Sequence, residues 1–416
     1  MNLLTMLPIP ATHRAAIRVT KDAVRQIRGG HPWVFESSIR SVSRDPSAGD
    51  LAVVFDDRRE FVAIGLWDPT SPIRLRVLHT GKPVPIDDSF WRARTDAAVD
   101  RRRALLDRGD TTGLRLIHGE NDGLPGLVVD VYDTTAVVKL YTTAWLAHLR
   151  NVLPAVLATE GTASLSIDRV VLRASRNVQR STPHMLTSGV TVLGEEPSAP
   201  IVFLEQGLRF EADVVGGQKT GHFLDQRDNR TEIGRRARDR RVLDVFACTG
   251  GFSVHAAAGG AVDVTSVDLS RRSLATAEAN MAHNRNRRAV AGARHRTMVG
   301  DAFEVMGELR RRGNSYDVVV VDPPSFAQRA RDHRVALDAY QRLAELGLSL
   351  VEPGGTYLQS SCSARVDAAQ LREAVAAGAR SAGVELANRV ETGHPIDHPI
   401  GFAYGGYLTS LFATVH

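Results

Sequence analysis

The first part of the chain alternates short apolar runs with glycine, aspartate and proline turns. Runs of this length, punctuated by such residues, are typical of β-strands. The pattern predicts a small, mostly β module that ends before a proline-rich stretch at residues 82–85. The apolar runs cover residues 16–19, 51–55, 61–66 and 73–77.

A different pattern begins after this stretch. Residues 91–108 have helical periodicity with a strongly basic face, and residues 114–141 return to strand-like runs around glycine-containing turns. A segment rich in serine, glycine, glutamate and proline at residues 194–200 marks the next boundary. The stretch between the two boundaries therefore predicts a middle α+β domain.

From about residue 202 onward, strand-like apolar runs alternate with helical segments. Strands that alternate with crossover helices predict a mostly parallel, doubly wound α/β sheet. In such a sheet the ligand binds beyond the carboxyl ends of the strands, near the point where the strand order reverses. The predicted strands are 242–246, 264–267, 318–321 and 356–359, and the predicted helices are 271–284, 303–312 and 334–350.

The composition limits the possible classes of protein. With 416 residues, 43% hydrophobic and 24% charged, the chain is long enough for more than one globular domain. Its two cysteines argue against a disulfide framework and favour a reducing compartment. Residues 245–262 carry no Asp, Glu, Lys or Arg, but their glycine pairs predict a strand, a turn and a short helix rather than a membrane span. No targeting signal is evident at the N-terminus, so we expect a cytoplasmic location without membrane contact.

The net charge of +5 is mild, but arginines occur in runs. Arginine forks suit phosphate oxygens, so these runs are compatible with a nucleic-acid surface. Short charge runs also occur on solvated helix faces, and for any single run this second interpretation is favoured. The runs lie at residues 101–103, 235–241, 285–288 and 310–312.

Acidic residues stand where the predicted strands of the third region end. After the strand that contains Asp244, Gly250 and Gly251 allow the backbone to approach a ligand closely. Asp268 ends the next strand, at a separation where an acidic residue binds ribose hydroxyls in dinucleotide folds. That spacing alone leaves a nicotinamide cofactor and S-adenosylmethionine both open.

Two further strand ends favour S-adenosylmethionine. Asp301, close to Phe303, can accept a hydrogen bond from an adenine amino group while the aromatic ring packs on the base. Asp322 is followed by Pro323 and Pro324, which lack N–H donors and hold a rigid loop. Together with the Thr-Gly-Gly turn, these acidic strand ends resemble a class I S-adenosylmethionine-dependent methyltransferase. We therefore expect that cofactor and no metal site.

Longer motifs make the resemblance more specific. Residues 216–230, which begin Gly-Gly-Gln-Lys-Thr-Gly-His-Phe, look like the signature that precedes the methyltransferase domain in the RlmI-like family of 23S ribosomal RNA methyltransferases. Residues 30–35 (Gly-His-Pro-Trp-Val-Phe) resemble the PUA RNA-binding domain of that family, a small β-barrel, and residues 118–127 resemble its middle domain. The resemblance implies a PUA-like domain at 14–82, a middle α+β domain at 83–196 and a Rossmann-like methyltransferase domain at 197–416.

The resemblance also implies a set of site residues. Cys362 and Asp322 are the catalytic candidates, and Asp322 is also a candidate for contact with the cofactor. The candidate substrate-binding loop consists of Pro323, Pro324, Ser325 and Phe326. Many family members have a basic residue where this chain has Ser325, which changes the charge beside the loop. The other candidates for binding S-adenosylmethionine are Lys219, Phe223, Asp225, Arg227, Asp244, Phe246, Thr249, Gly250, Gly251, Asp268, Leu269, Asp301 and Ala302.

The activity of the family is methylation of cytosine at carbon 5, and the residues at the predicted strand ends agree with that chemistry. Carbon 5 becomes nucleophilic only after a thiolate adds at carbon 6, and Cys362 follows a predicted strand between serines. Asp322 can hydrogen bond to the nitrogen edge of the activated ring. Cys248, within the predicted turn, is interpreted as a small buried side chain. No second cysteine stands beside Asp322, so another base or water must take the proton from carbon 5.

Two alternatives remain open. Related ribosomal RNA guanine methyltransferases share the Gln-Lys-Thr-Gly motif and need no thiol, although such enzymes commonly place an aromatic residue where Ser325 stands. A ribosome-assembly factor that binds S-adenosylmethionine without catalysis would also carry two accessory domains. The expected partner is 23S ribosomal RNA or a large-subunit assembly intermediate, and a homodimer is compatible with the sequence.

Overall fold

The computed structural model describes residues 7–159, 162, 165–182, 189–326 and 333–416. The chain divides into two compact units. The first consists of Met1–Gly207, Ala212–Leu224 and Ile396–Gly405, and the second of Leu208–Glu211, Asp225–Pro395 and Gly406–His416. Both predicted domain boundaries thus lie within the first unit, and the predicted third domain contributes residues to both units.

The first unit begins with a six-stranded sheet whose strand order is β2-β6-β5-β4-β1-β3. Every second residue of β1 is buried, which is the alternation expected of a strand with one face on a core. The Thr20 hydroxyl accepts a hydrogen bond from the Ala23 amide and so caps the helix that follows β1. The elements are β1 (Ala15–Val19), α1 (Lys21–Arg28), β2 (Trp33–Phe35), β3 (Ile39–Val42), β4 (Leu51–Phe55), β5 (Phe61–Trp67) and β6 (Ile73–Thr80).

A second sheet of the first unit has the order β11-β10-β9-β8-β7. Its elements, with the helices around them, are α2 (Asp88–Asp100), α3 (Arg103–Leu106), β7 (Gly113–His118), β8 (Leu127–Tyr132), β9 (Thr135–Leu140), α4 (Leu149–Ala158), β10 (Arg169–Ala174), α5 (Arg176–Ser181) and β11 (Val190–Leu193). The single helix predicted over 91–108 is wrong, because two helices, α2 and α3, occupy this region. The helix is interrupted between them, where Arg102 lies. That side chain is fully buried and donates hydrogen bonds of 2.9 and 2.7 Å to the carboxylate of Asp122.

The second unit is built on a seven-stranded sheet of order β16-β15-β14-β17-β18-β20-β19, parallel except for β20, which is antiparallel to both neighbours. The predicted doubly wound α/β fold is confirmed. Strands β12 (Ile201–Glu205) and β13 (Leu208–Ala212) lie where the chain passes from the first unit to the second. The following elements are α6 (Arg227–Arg236), β14 (Arg241–Val245), α7 (Gly251–Ala258), β15 (Asp263–Asp268), α8 (Arg271–His283), α9 (Arg288–Gly292), β16 (Arg294–Val299), α10 (Ala302–Arg311), β17 (Tyr316–Val321), α11 (His333–Leu348), β18 (Val351–Ser361), α12 (Ala368–Ala382), β19 (Leu386–Thr392) and β20 (Thr409–Val415).

Several arginines of the runs noted in the sequence form ion pairs with carboxylates of the same unit. Arg240 and Arg241 both approach Asp317, and Arg310 lies 3.7 Å from Glu345. These pairs are partly exposed, so each is worth little in stability. For the runs at 235–241 and 310–312 they agree with a solvated surface, whereas Arg102 of the 101–103 run lies in the core.

In the described part of the chain, no helix combines the length and apolar character that a membrane span requires. Nor do three His, Cys, Asp or Glu side chains of the described residues come together as metal ligands would.

Candidate active site

The strand order brings the polar strand ends of the second unit to one edge. β14 pairs with β15 on one side and with β17 on the other, so the winding direction reverses beside β14. A doubly wound sheet opens a ligand-binding crevice at such a point. The residues that follow β14, β15, β17 and β18 are therefore neighbours at this crevice, although they are far apart in the chain.

The turn after β14 has an unusual backbone. Phe246, Cys248 and Gly250 have φ angles of 64°, 47° and 75°, in the left-handed region. Two of these are not glycine, and such conformations cost free energy and cluster at functional sites. A Cβ atom at Gly250 would lie 2.7 Å from the Cβ of Ala277, so glycine is required there for space as well as for conformation. The turn is thus a strained, closely packed loop at the start of α7.

Asp268 holds this turn from the neighbouring strand. Its two carboxylate oxygens accept hydrogen bonds from the Cys248 amide at 2.9 Å and the Ser270 amide at 2.8 Å. The adjacent Leu269 side chain is 74% exposed, which is unusual for a large apolar residue beside a rigid polar turn. The Asp268 carboxylate can bind the hydroxyls of a ribose here, and the Leu269 side chain can pack on the adenine ring.

Asp301 and Thr249, two other predicted cofactor residues, make local hydrogen bonds at the same edge of the sheet. Asp301 caps α10, since its Oδ1 accepts hydrogen bonds from the amides of Phe303 at 2.9 Å and Glu304 at 3.3 Å. The Thr249 carbonyl accepts a hydrogen bond of 2.8 Å from the Asn280 side chain. Ala302, the next residue along the chain, is buried.

Asp244 lies under the turn, fully buried. Its Oδ2 accepts hydrogen bonds from the Ser253 amide at 3.1 Å and hydroxyl at 2.6 Å, whereas its Oδ1 has no hydrogen-bond partner among the described residues. Burial raises the pKa of this carboxyl to about 6. The unsatisfied oxygen is a position that a water molecule or a donor group of a ligand can fill.

We expect the Asp244→Asn variant to unfold with a different pH dependence from the parent protein. A carboxyl whose pKa rises from 3.8 to about 6 on folding binds its proton more tightly in the folded state, so its contribution to stability is lost as pH rises through this interval. At pH 7 the free energy of unfolding of Asp244→Asn should exceed that of the parent protein by roughly 1 to 3 kcal/mol. Urea unfolding of both proteins at pH 4 and pH 7 measures this difference. The exposed Asp228→Asn is the control, and parallel pH profiles for the Asp244 variant and its parent would contradict the expectation.

The thiol of Cys362 meets the Asp-Pro-Pro loop. β17 and β18 are parallel neighbours, and Cys362 comes directly after Ser361, where β18 ends. Its Sγ donates to the carbonyl oxygen of Pro323 at 3.7 Å. The structure therefore brings the predicted nucleophile to the residue that follows Asp322.

The buried Tyr340 contacts both the residue before Cys362 and the Asp-Pro-Pro loop. The Ser361 hydroxyl donates to the Tyr340 oxygen at 2.9 Å, and the Phe326 ring packs edge-on against Tyr340. Burial, with smaller contributions from the charges of Cys362 and Asp322, raises the pKa of Tyr340 to about 12. The phenol is therefore protonated at neutral pH and does not act as a base there.

Cys248, the other cysteine, lies in the turn after β14. Burial, followed by the charge of Asp268, raises the pKa of its thiol to about 11. Because the thiolate is the reactive form, this cysteine is poorly suited to nucleophilic attack at neutral pH. Cys248 is half-buried rather than fully buried, so the expected burial is only partly met.

The structure adds two residues that the sequence did not single out. The Gln226 amide donates a 2.9 Å hydrogen bond to Oδ1 of Asp322 and accepts one of 2.6 Å from Asn229. Asn229 also donates to Ser410 and accepts from Thr392, at 3.0 and 2.6 Å. Gln226 and Asn229 are each only 3% exposed. This chain of side chains ties the carboxylate of Asp322 to β19 and β20.

We expect Gln226→Ala to lower kcat by about 10-fold or more, because a small displacement of a catalytic group is costly. A residue whose role is to position Asp322 should leave the KM for the substrate nearly unchanged. Gln226→Glu should lower kcat further at neutral pH and alter the pH profile, since two carboxylates at hydrogen-bond distance must share a proton. Steady-state assays from pH 5 to 9 measure both effects, with the exposed Gln218→Ala as the control. Unchanged kcat in both Gln226 variants would exclude a positioning role.

The 216–230 signature is divided between the two units. Lys219 and Phe223 lie in the first unit, where the Lys219 ammonium is 4.1 Å from the centre of the Phe223 ring. Asp225 and Arg227 lie in the second unit, both buried, and Asp225 accepts a 2.8 Å hydrogen bond from the Tyr407 hydroxyl. Contact of these four residues with the cofactor stays a prediction.

The substrate-loop candidates have different exposures. Pro323 is buried, Pro324 is exposed, and Ser325 and Phe326 are half-buried. The ring of Phe326 packs on the Tyr340 side chain and supports the loop from below. Pro324 and Ser325 are thus the accessible part of the loop.

The Gly30–Phe35 motif forms part of an aromatic surface of the first unit. The Trp33 indole donates to Glu120 at 2.8 Å, so this side chain is structural. His31 packs between Phe35 and Tyr404, with ring centres 6.3 and 5.8 Å away, and these two residues are 39% and 70% exposed. Exposed aromatic rings of this kind can stack on unpaired bases.

Models of two families match the sequence. The S-adenosylmethionine-dependent methyltransferase family matches residues 116–402, and the PUA-like domain matches residues 17–80. The predicted cofactor class and the predicted N-terminal module are confirmed by these matches.

Relatives of nearly the same length share much of the sequence. A ribosomal RNA large subunit methyltransferase from Deinococcus radiodurans is 46% identical over 410 residues, covering 97% of this chain and 98% of that protein. A ribosomal RNA large subunit methyltransferase I from Pseudoalteromonas translucida is 31% identical over 97% of this chain and 100% of that protein.

Solved structures support the fold. A candidate S-adenosylmethionine-dependent methyltransferase from Streptococcus mutans superposes with a TM-score of 0.79 at 21% identity, covering 96% of this chain and 99% of that chain. A methyltransferase structure complexed with SAH has the same TM-score of 0.79, at 22% identity and with the same coverage of 96% and 99%.

Proposed function

This chain belongs to the RlmI-like family of S-adenosylmethionine-dependent methyltransferases, and we propose that it methylates carbon 5 of a cytosine in large-subunit (23S) ribosomal RNA. The observation that carries the proposal is the approach of the Cys362 thiol to within 3.7 Å of the Pro323 carbonyl oxygen, beside Asp322. The relatives carry the name of large-subunit ribosomal RNA methyltransferases. The thiol supports the choice of the atom that is methylated.

The residues of the crevice fit the cofactor. Asp268 would bind the ribose hydroxyls, and Leu269 and Asp301 would border the adenine. The turn of Phe246, Thr249, Gly250 and Gly251 would approach the methionine part, and Oδ1 of Asp244 is the unsatisfied buried acceptor beneath it. S-adenosylmethionine would supply the methyl group as an electrophile on its sulfonium sulfur and would leave as S-adenosylhomocysteine.

The remaining steps belong to side chains of the protein. The Cys362 thiolate adds to carbon 6 of the cytosine, which forms a carbon–sulfur bond and moves an electron pair toward carbon 5. Asp322, oriented by Gln226, in its protonated form donates a hydrogen bond to the nitrogen edge of the ring and stabilises the negative charge that develops there. After methylation of carbon 5, a base or water removes its proton, and loss of the thiolate from carbon 6 breaks the carbon–sulfur bond and restores the aromatic ring.

The proposal is tested with RNA that contains 5-fluorocytosine. Fluorine at carbon 5 cannot leave as a proton does, so an enzyme that uses this reaction is trapped as a covalent adduct that survives denaturing electrophoresis. We expect an adduct that requires both S-adenosylmethionine and Cys362. Nucleotide-resolution mapping of 5-methylcytosine in 23S ribosomal RNA, with and without the protein, identifies the site. Methylation of a guanine, or binding of both partners without methyl transfer, would replace the proposal by one of its two alternatives.

A further inference from the structure

Two cations of the first unit face each other across neighbouring strands. Lys139 of β9 and Arg173 of β10 are directly opposite residues of neighbouring parallel strands. Like charges at opposed positions destabilise a sheet. Neither residue forms an ion pair with a carboxylate in the described part of the chain.

Arg173 is the more unusual of the two, because it is only 8% exposed. Its Nη2 donates to the Gly217 carbonyl at 2.7 Å, but its Nε and Nη1 have no hydrogen-bond partner among the described residues. Buried guanidinium groups are normally paired, since an uncompensated buried charge is costly. The charge of Asp213 acts on Arg173, but these two buried donors remain available to an anion.

The neighbouring carboxylates are already engaged. Asp130 accepts two hydrogen bonds from Arg115, at 2.7 and 3.0 Å, and Asp213 accepts the Gly216 amide at 2.8 Å. The charges of Arg173, Lys219 and Arg115 all act on Lys139, against the single carboxylate of Asp130. The surroundings of Lys139 thus carry an excess of positive charge.

The choice of lysine at this place is itself informative. Among 52 basic residues the chain has only four lysines, namely Lys21, Lys82, Lys139 and Lys219. Two of the four meet here, since the Lys139 ammonium donates to the Lys219 carbonyl at 2.9 Å. Lys219 is exposed, and its φ of 49° lies in the left-handed region. A compact ammonium group binds a phosphate oxygen as a point charge, whereas the planar arginine fork binds two oxygens at once.

An aromatic ring borders the cations. The Lys139 ammonium lies 5.7 Å from the centre of the Tyr141 ring, which is 48% exposed. Basic side chains beside exposed aromatic rings are the combination that binds single-stranded nucleic acid, where the cations bind phosphates and the rings stack on bases.

We propose that Lys139, Lys219 and Arg173 form a binding site for a backbone phosphate of single-stranded RNA, with Tyr141 stacking on an adjacent base. Lys139 and Lys219 contact the phosphate, and the buried Arg173 supports it electrostatically from behind. The choice of RNA as the source of the phosphate rests on the proposed function. The phosphate site itself rests on the facing positions of Lys139 and Arg173 and on the two buried Arg173 donors that have no hydrogen-bond partner among the described residues. It differs from the cofactor contact predicted for Lys219.

The test measures binding of a fluorescent single-stranded oligoribonucleotide to the full-length protein without S-adenosylmethionine, so that it is independent of methyl transfer. We expect Lys139→Met to lower the affinity about 10-fold near 0.1 M salt and to reduce the slope of log affinity against log salt by about 0.7, the value for one phosphate of a single strand. Arg380→Met removes an exposed cation of α12 and is the control, which should leave both quantities unchanged. Thermal unfolding and S-adenosylmethionine affinity check that each variant is folded.

The pH dependence separates a binding role from a merely structural one. Burial, followed by the charge of Arg173, lowers the pKa of Lys139 to about 8. A phosphodiester keeps its charge in this range, so the RNA affinity of the parent protein should fall as pH rises from 7 to 9, when Lys139 loses its proton. Lys139→Arg stays charged and should show a flat profile, because the arginine pKa lies well above this range.

Three results would overturn the proposal. A salt slope and pH profile of Lys139→Met equal to those of the parent protein would exclude a phosphate contact. Competition by inorganic phosphate that depends on Lys139, together with RNA binding that does not, would assign the site to a free anion instead of RNA. A change in melting temperature alone, without a change in salt slope, would mean that the two cations only hold the Gly217 and Lys219 carbonyls.

Discussion

Replacing Cys362 by alanine should abolish methylation of carbon 5 while leaving S-adenosylmethionine binding intact. Without a thiolate at carbon 6, the cytosine ring cannot deliver an electron pair to carbon 5, and no alternative nucleophile completes the reaction. The loss should be on the order of 10⁴-fold or more, as when other enzymes lose their nucleophile. Single-turnover transfer of a labelled methyl group to 23S ribosomal RNA measures the rate, and calorimetry measures cofactor affinity.

The chain provides a matched control in its other cysteine. Cys248→Ala removes the same atom from a site where the thiol pKa is raised to about 11, so activity should stay within about 3-fold of the parent. Cys362→Ser adds a second control, because a hydroxyl keeps the size of the side chain but remains protonated at neutral pH. Methylation by Cys362→Ala at the parent rate would rule out the carbon-5 mechanism and favour methylation of a base nitrogen.

Much of the sheet that positions Cys362 could be predicted from local pattern. β17 is a run of buried valines ending at Asp-Pro-Pro, and a fully buried parallel strand has this composition. Predicted strands and helices of the second unit agree with the structure to within a few residues, because each is bounded by turn residues or caps such as Asp301. The predicted convergence of Asp268, Asp301 and Asp322 follows from the topology rule for parallel sheets and needs no contact information.

Most of the features that the sequence did not predict depend on contacts between residues that are far apart in the chain. Gln226 and Asp322 are 96 positions apart, and no local pattern in the sequence indicates that an amide in the 216–230 signature will orient a strand-end carboxylate. β19 was not predicted because most of its residues are exposed, so it lacks the alternation of a half-buried strand. Arg102 was assigned to a basic helix face, although its partner Asp122 stands 20 positions later and draws it into the core.

Asp322→Asn should lower the rate of methyl transfer by about 10² to 10³-fold, the range found when one stabilising group is removed from a charged transition state. The amide keeps an oxygen that can accept the Gln226 hydrogen bond, so the side chain should stay in position and the protein should unfold at the same temperature. Asp317→Asn, at the other end of β17, is the control for the loss of a charge and should be fully active.

The covalent adduct with 5-fluorocytosine RNA should form slowly in Asp322→Asn and not at all in Cys362→Ala, because Asp322 stabilises the adduct whereas Cys362 makes the bond. Parent-like rates for Asp322→Asn would show that the carboxyl group of this residue is not used, and the effect of Gln226 would then have to act through the Pro323 and Pro324 loop.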